Sequence, residues 1–269
     1  MTATSSDVAT PRPRAGCQPF RFDAGPIGAL LQHGFTGCPA SMRPMGEWLS
    51  AQGISVVGPR LPGHGTHWED LEKRTWPEWE REAESALEDI ASRSSTTIGV
   101  GLSMGGAMIL HLAAKHPQRF DGIVVINCDL IRPQLALARV LKRFVRSIKG
   151  VGNDIKKPGQ NELPYDRVPL AAAGELGRFY RVVRNELPQV KVPTLVFSST
   201  DDHVVKSSVS KYVLAHVGSA EKELITLTNS YHVATLDYDA DLIFARTLEF
   251  ANSVASGAPA TSGGEAGPA

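Results

Sequence analysis

The chain has 269 residues, room for one large domain or two small ones, and its 42% hydrophobic and 21% charged residues describe a polypeptide that can bury a core. Lys plus Arg and Asp plus Glu number 28 each, so the formal charge is zero. That balance lacks the basic excess of a nucleic-acid binder, and no nucleic-acid partner is expected.

Residues 1–17 are rich in Thr, Ser, Pro and Arg and lack an apolar h-region, so they are expected to be loose and not a secretory leader. The first apolar run, Ile27–Gln32, reads as a strand. It leads into His33-Gly34-Phe35-Thr36-Gly37, where flanking glycines would let the backbone N–H of Phe35 approach a substrate. A helix is expected over 41–52, a strand over Ile54–Gly58, a structural turn at Pro62-Gly63-His64-Gly65 and a helix over 77–91.

Strand Thr96–Leu102 runs into Gly101-Leu102-Ser103-Met104-Gly105-Gly106, which opens a helix over 104–115 that Pro117 ends. Strand, G-x-S-x-G and helix in that order form a nucleophile elbow. The turn is so tight that residues two places either side of the Ser must lack side chains, and Gly101 and Gly105 meet that need. Ser103 is thereby the candidate nucleophile, and the N–H of Met104 a donor for a developing oxyanion.

After strand Gly122–Asn127 the alternation breaks. Residues 129–190 show no convincing strand and read as an inserted helical cap. Within it Leu137, Val140, Leu141, Phe144, Val145 and Ile148 fall on one face of a helix expected over 135–149, with Arg139, Lys142, Arg143, Arg146 and Lys149 around them. That face is expected to pack on the domain or, with Phe144 and Val145, to line an acyl pocket, its basic side making transient contact with a lipid surface.

Strand Thr194–Ser198 ends in Asp201-Asp202-His203-Val204-Val205, and strand Glu223–Thr228 ends in Tyr231-His232. Helices over 206–217 and 239–253 follow them. Parallel strands share a direction, so both loops open on the rim that carries Ser103, in the chain order Ser, Asp, His. Asp202 is preferred to Asp201 because the aliphatic pair after it anchors the loop. His33, His64, His111, His116 and His203 read as structural or surface histidines.

The fold class is therefore α/β: a mostly parallel sheet with helices on both faces, its core at 18–128 and 191–254, the cap at 129–190 and a loose tail at 255–269. Cys17, Cys38 and Cys128 are odd in number, scattered and without metal-ligand spacing. They suggest neither a disulfide framework nor a metal site, which fits a reducing cytoplasmic location. No dinucleotide motif is present, no cofactor is implied, and no apolar run reaches the roughly 18 to 20 residues of a membrane span.

Leu31–Gly37, Gly63-His64-Gly65, Gly101–Gly106 and His232-Val233-Ala234-Thr235-Leu236-Asp237 together resemble the bacterial carboxylesterase and monoacylglycerol lipase family. Its members are small-capped α/β-hydrolases with an HGFTG loop, a GLSxGG elbow and a terminal HVxTLD segment. The resemblance spans about residues 27–250 and is weakest in the cap. Gln32 and Met104 stand where many relatives carry aliphatic residues. The resemblance implies Ser103 as nucleophile, Asp202 as acid, His232 as base and Phe35 and Met104 as oxyanion donors. The implied substrate is a small acyl ester of short to medium chain, monoacylglycerols included. The same triad could cleave thioesters or lactones, and a hydrolase-like receptor that only binds an apolar ligand is the non-enzymatic alternative. Dehalogenases and epoxide hydrolases usually carry Asp where this chain has Ser103.

Overall fold

A computed structural model describes residues 11–258. Its strands are β1 (Phe20–Phe22), β2 (Ile27–Gln32), β3 (Ile54–Gly58), β4 (Thr96–Leu102), β5 (Gly122–Ile126), β6 (Ser147–Lys149), β7 (Arg167–Pro169), β8 (Thr194–Ser199) and β9 (Lys222–Leu227). Its helices are α1 (Arg43–Ala51), α2 (Trp68–Leu71), α3 (Trp76–Ala91), α4 (Met104–Lys115), α5 (Gln134–Leu141), α6 (Leu170–Glu186), α7 (Ser207–His216) and α8 (Ala240–Ser256). No helix among the described residues is long and apolar enough to cross a membrane.

Seven strands make one sheet in the order β1-β3-β2-β4-β5-β8-β9, all parallel except β1, which runs antiparallel on β3. Every residue of β3, β4, β5 and β8 is buried, as their continuous apolar runs require. Side chains alternate between two layers. Ala29, Leu31, Ile98, Val100, Val124 and Ile126 pack with residues of α1 and α8. Leu30, Ile123, Val125 and Val196 pack with α3, α4, α6 and α7. The Glu78 carboxylate accepts the Thr75 N–H at 2.7 Å and so caps α3, whose Pro77 occupies a first-turn position where no donor is needed.

Four sequence expectations need correction. The edge strand β1 lies in a stretch with no distinguishing pattern, and Phe20 is buried against Gly58. The helix expected over 135–149 stops at Leu141, and the chain then pairs Ser147–Lys149 with Arg167–Pro169 in the small hairpin β6–β7. The reason is tertiary: the Arg146 guanidinium is drawn 2.6 Å from the Glu72 carboxylate and lies over the Trp68 ring. The Arg146 carbonyl also accepts the Leu170 N–H. Cross-strand pairing thus outcompetes a helical pattern already weakened by β-branched Val145 and Ile148.

The cysteines also pair: Cys17 and Cys38 form a disulfide with Cα atoms 5.3 Å apart, and both are fully buried. Spacing along the chain could not show that residues 11–17 return to the loop after β2. The Arg14 N–H also donates to the Gly65 carbonyl in the loop after β3, and its guanidinium reaches the Leu163 carbonyl and lies over the Tyr165 ring in the cap. The expected looseness therefore does not extend to 11–17, while 1–10 and 259–269 lie outside the described residues.

Candidate active site

The strand order reverses about β2, with β3 on one side and β4 on the other. In open α/β sheets the crevice at such a switch point, beyond the carboxyl ends of the strands, is where ligands bind. The loops after β2 and β4 meet in it: a Cβ placed on Gly34 would lie 3.3 Å from the Ser103 Cβ.

Ser103 sits between β4 and α4 with φ 57° and ψ −120°. A side chain on Gly101 would stand 2.2 Å from the Gly105 carbonyl oxygen, and one on Gly105 would stand 2.1 Å from that of Gln32. Only glycine fits either place. Among the described residues the other non-glycine residues with positive φ are Thr36, Asn127 and Leu163. Thr36 follows β2, Asn127 follows β5 and Leu163 adjoins Glu162 of the same crevice, so backbone strain gathers around one place, as it does at functional sites.

Asp202 and His232 arrive from β8 and β9. The His232 Nδ1 lies 2.8 Å from the Asp202 Oδ2. The other oxygen, Oδ1, accepts the N–H groups of Val204 and Val205 at 2.8 and 2.7 Å, so the aliphatic pair fixes the carboxylate through its backbone. Asp201 is exposed and Asp202 nearly buried. Burial alone would lower the His232 pKa, but the hydrogen bond and charge of Asp202, with the charges of Glu162 and Asp129, raise it above the usual imidazole value.

Asn127 holds the Asp202 and His232 loops together. Its amide donates to the Ser199 hydroxyl at 2.9 Å and the His232 carbonyl at 2.8 Å, and its oxygen accepts the Ser199 N–H. Asp237, the last residue of the HVATLD segment, accepts backbone N–H groups from Lys156, Lys157, Tyr231 and Tyr238. It thus ties the His232 loop to the segment after β6.

The expected oxyanion donors, the N–H groups of Phe35 and Met104, belong to the backbone beside Ser103. Phe35 turns its ring away, edge-on to His64 and Trp79 at 6.0 and 5.9 Å between centroids, so its main chain faces the crevice. Met104 begins α4, where an N–H has no intrahelical acceptor and meets the positive end of the helix dipole. His33 braces the loop: its Nε2 accepts the Leu61 N–H at 3.2 Å, so Nδ1 carries the proton and donates to the Gly34 carbonyl at 2.9 Å. Burial pushes its pKa down to about 4, which keeps that arrangement neutral.

Ser103, His232, Gly34 and Phe35 line one narrow cavity of about 120 Å³. Several of its other walls come from residues the sequence reading missed. The Asp154 carboxylate accepts the His232 N–H at 3.1 Å and lies 2.8 Å from the His203 Nδ1. Glu162 stands beside Gly37, and burial pushes its carboxyl up to about 7, against the pull of the His232 charge. Tyr165 donates its hydroxyl to the Gly63 carbonyl at 2.7 Å and its N–H to the Thr36 carbonyl at 3.1 Å, fastening the cap to the oxyanion loop. Asp154 and Glu162 lie in aperiodic loop sequence, where a carboxylate has no local signature. Asp237 was visible in its motif.

Phe144 and Val145 are not brought to this cavity. Phe144 is 81% exposed, and Leu137, Val140, Leu141, Val145 and Ile148 are exposed as well. Their expected common face is turned outward, both within α5 and in the chain after it, neither packed on the domain nor lining the pocket.

A family model described as serine aminopeptidase, S33, matches residues 29–239. The chain is 42% identical over 240 residues to a thermostable monoacylglycerol lipase of Bacillus sp. (strain H-257), covering 88% of this chain and 94% of that protein. It is 27% identical over 236 residues to a carboxylesterase of Bacillus subtilis (strain 168), covering 87% and 95%. A solved structure from work on the metagenome-derived lipolytic enzymes LipS and LipT superposes with a TM-score of 0.87 at 38% identity, covering 90% of this chain and all of that one.

Proposed function

The chain belongs to the serine aminopeptidase, S33, family and to the carboxylesterase and monoacylglycerol lipase family of α/β-hydrolases, and from that membership we propose a serine esterase that works through Ser103, His232 and Asp202. The observation that carries the assignment is the strained Ser103 sharing a cavity with His232, whose Nδ1 is 2.8 Å from Asp202. His232 takes the Ser103 proton as Oγ attacks the ester carbonyl, and the N–H groups of Phe35 and Met104 receive the negative charge. The C–O bond to the alcohol breaks as His232 returns the proton to it. Water, deprotonated by the same imidazole, then attacks the acyl-enzyme and frees the acid and Ser103.

The substrate proposed is a carboxylic ester of short to medium acyl length, glyceryl monoesters included. A polyol leaving group suits the polar end of the cavity, where Asp154 and Glu162 offer hydrogen-bond partners to hydroxyls. Phe144 and its apolar neighbours, with Lys142, Arg143 and Lys149 exposed among them, are proposed to make transient contact with an anionic lipid surface. Sedimentation with anionic vesicles tests this, and Phe144→Ser binding as well as the parent would refute it. A cytoplasmic location stays in the proposal on composition, but the Cys17–Cys38 pair weighs against it, and counting free thiols in protein alkylated at cell lysis decides.

The main test is labelling by a fluorophosphonate together with kcat/KM over p-nitrophenyl esters and monoacylglycerols of increasing length. Labelling at Ser103 and loss of both labelling and turnover in folded Ser103→Ala are expected. Comparable turnover by that variant would overturn the assignment.

A further inference from the structure

A second cavity, of about 440 Å³, opens between the start of the cap and α6. It is of a size that holds a small ligand. It shares Arg132, Leu135 and Tyr180 with the Ser103 cavity and continues past them to Arg181, Arg184 and Tyr212.

The two cavities differ in charge. The Ser103 cavity is walled by three carboxylic residues, Asp129, Asp154 and Glu162, and by the basic side chains of Arg132 and His232. The second cavity has three arginines and no acid in its lining. Among those arginines only Arg132 meets a carboxylate, that of Asp129, and it also donates to the Val204 carbonyl. Arg184 donates to the Leu130 carbonyl at 2.6 Å. Arg181 has no partner among the described residues. The rest of the wall is apolar or aromatic, so the site suits an anion carried on an aliphatic tail.

We propose that this cavity receives the carboxylate product of ester hydrolysis, a medium-chain fatty acid anion, as it leaves the catalytic cavity. The inference rests on the esterase reading, because hydrolysis turns a neutral ester into an anion in a cavity walled by acids. The Asp154 carboxylate disfavours a second anion where the product forms, and the guanidinium groups of Arg181 and Arg184, which meet no carboxylate among the described residues, lie past the shared wall. Arg132 belongs to both cavities and bridges the path.

The test measures binding without turnover. Protein blocked at Ser103 by a short-chain fluorophosphonate, and separately the Ser103→Ala protein, is titrated with decanoate by calorimetry, with decanol as the uncharged control. One decanoate site on the blocked protein is expected, with decanol much weaker and affinity at least about tenfold lower in Arg181→Glu, the loss of one charge-assisted contact. Absence of that site, or unchanged decanoate affinity in a folded Arg181→Glu protein, would overturn the proposal. A shift of the acyl-length profile in Arg181→Glu without loss of decanoate binding would overturn it too, making the cavity an acyl-chain channel. Failure of the esterase reading shows separately, as absence of fluorophosphonate labelling.

Discussion

Gly105→Ala tests how far the elbow and the oxyanion loop depend on one contact. The new methyl carbon would stand 2.1 Å from the Gln32 oxygen and 2.8 Å from that of His33, where real contacts do not fall below 3.0 Å. Gln32 is the last residue of β2, hydrogen-bonded in register with Gly101, so the strain falls on the loop that follows. Restoring 3.0 Å from 2.1 Å asks for a retreat of about 0.9 Å by the backbone that leads to Phe35. A donor displaced that far from an oxyanion is effectively lost, which costs about 10² to 10³ in kcat. Gly106→Ala is the control: its nearest neighbours, the Cys128 side chain and the Gly101 oxygen, lie at 3.2 Å and ask for only a few tenths of an ångström. The assay is kcat on p-nitrophenyl butyrate with fluorophosphonate labelling rate and melting temperature for each protein. A folded Gly105→Ala enzyme with kcat within about threefold of the parent, or an equal loss in Gly106→Ala, would refute the reasoning, because oxyanion-donor loss predicts orders of magnitude.

Asp202→Asn should lower kcat by up to about 10⁴, by analogy with the best-studied serine protease triad, while Asp201→Asn stays near the parent; the reverse ranking in steady-state kinetics would move the acid. The acidic limb of kcat/KM against pH should lie above the usual imidazole value, because His232 must be neutral to act and its pKa is raised. Glu162→Gln removes one of the charges that favour the imidazolium, so the limb should move to lower pH, and a limb that stays or moves upward would contradict the placement. His33, neutral in the fold to about pH 4 but protonated in the unfolded chain below about 6.5, binds more protons when unfolded between those values. Its share of stability is present above that window and falls on acidification, by about 2 kcal/mol at pH 5. Urea midpoints of the parent and His33→Gln at pH 7 and 5 check this, the variant lacking that increment.

The inner strands of the sheet were legible because they are buried on both faces and carry long apolar runs that nothing local imitates. The convergence of Ser103, Asp202 and His232 on one crevice was legible for a different reason: each follows a strand of the parallel sheet, and parallel strands deliver their loops to one rim. The cap was not. Its helix pattern over 135–149 was genuine as a pattern, but Arg146 and the β6–β7 pairing drew the second half into another conformation. Asp154 and Glu162 escaped notice because a wall carboxylate is defined by what folds against it. Tyr165 is the same case, since its partners Thr36 and Gly63 are more than a hundred residues away.

The bridge from Cys17 to Cys38 makes the start of the described chain part of the catalytic scaffold. Cys38 follows directly on the Gly34–Gly37 loop, and Cys17 is pressed against Gly65 in the neighbouring loop. Closing a loop of 21 residues removes unfolded-chain entropy worth about 3 kcal/mol, so the bond weighs on stability as well as on position. A truncation past Arg14 or a thiol reductant in the storage buffer is expected to act at the rear of the Gly34–Gly37 loop, behind the crevice that holds Ser103.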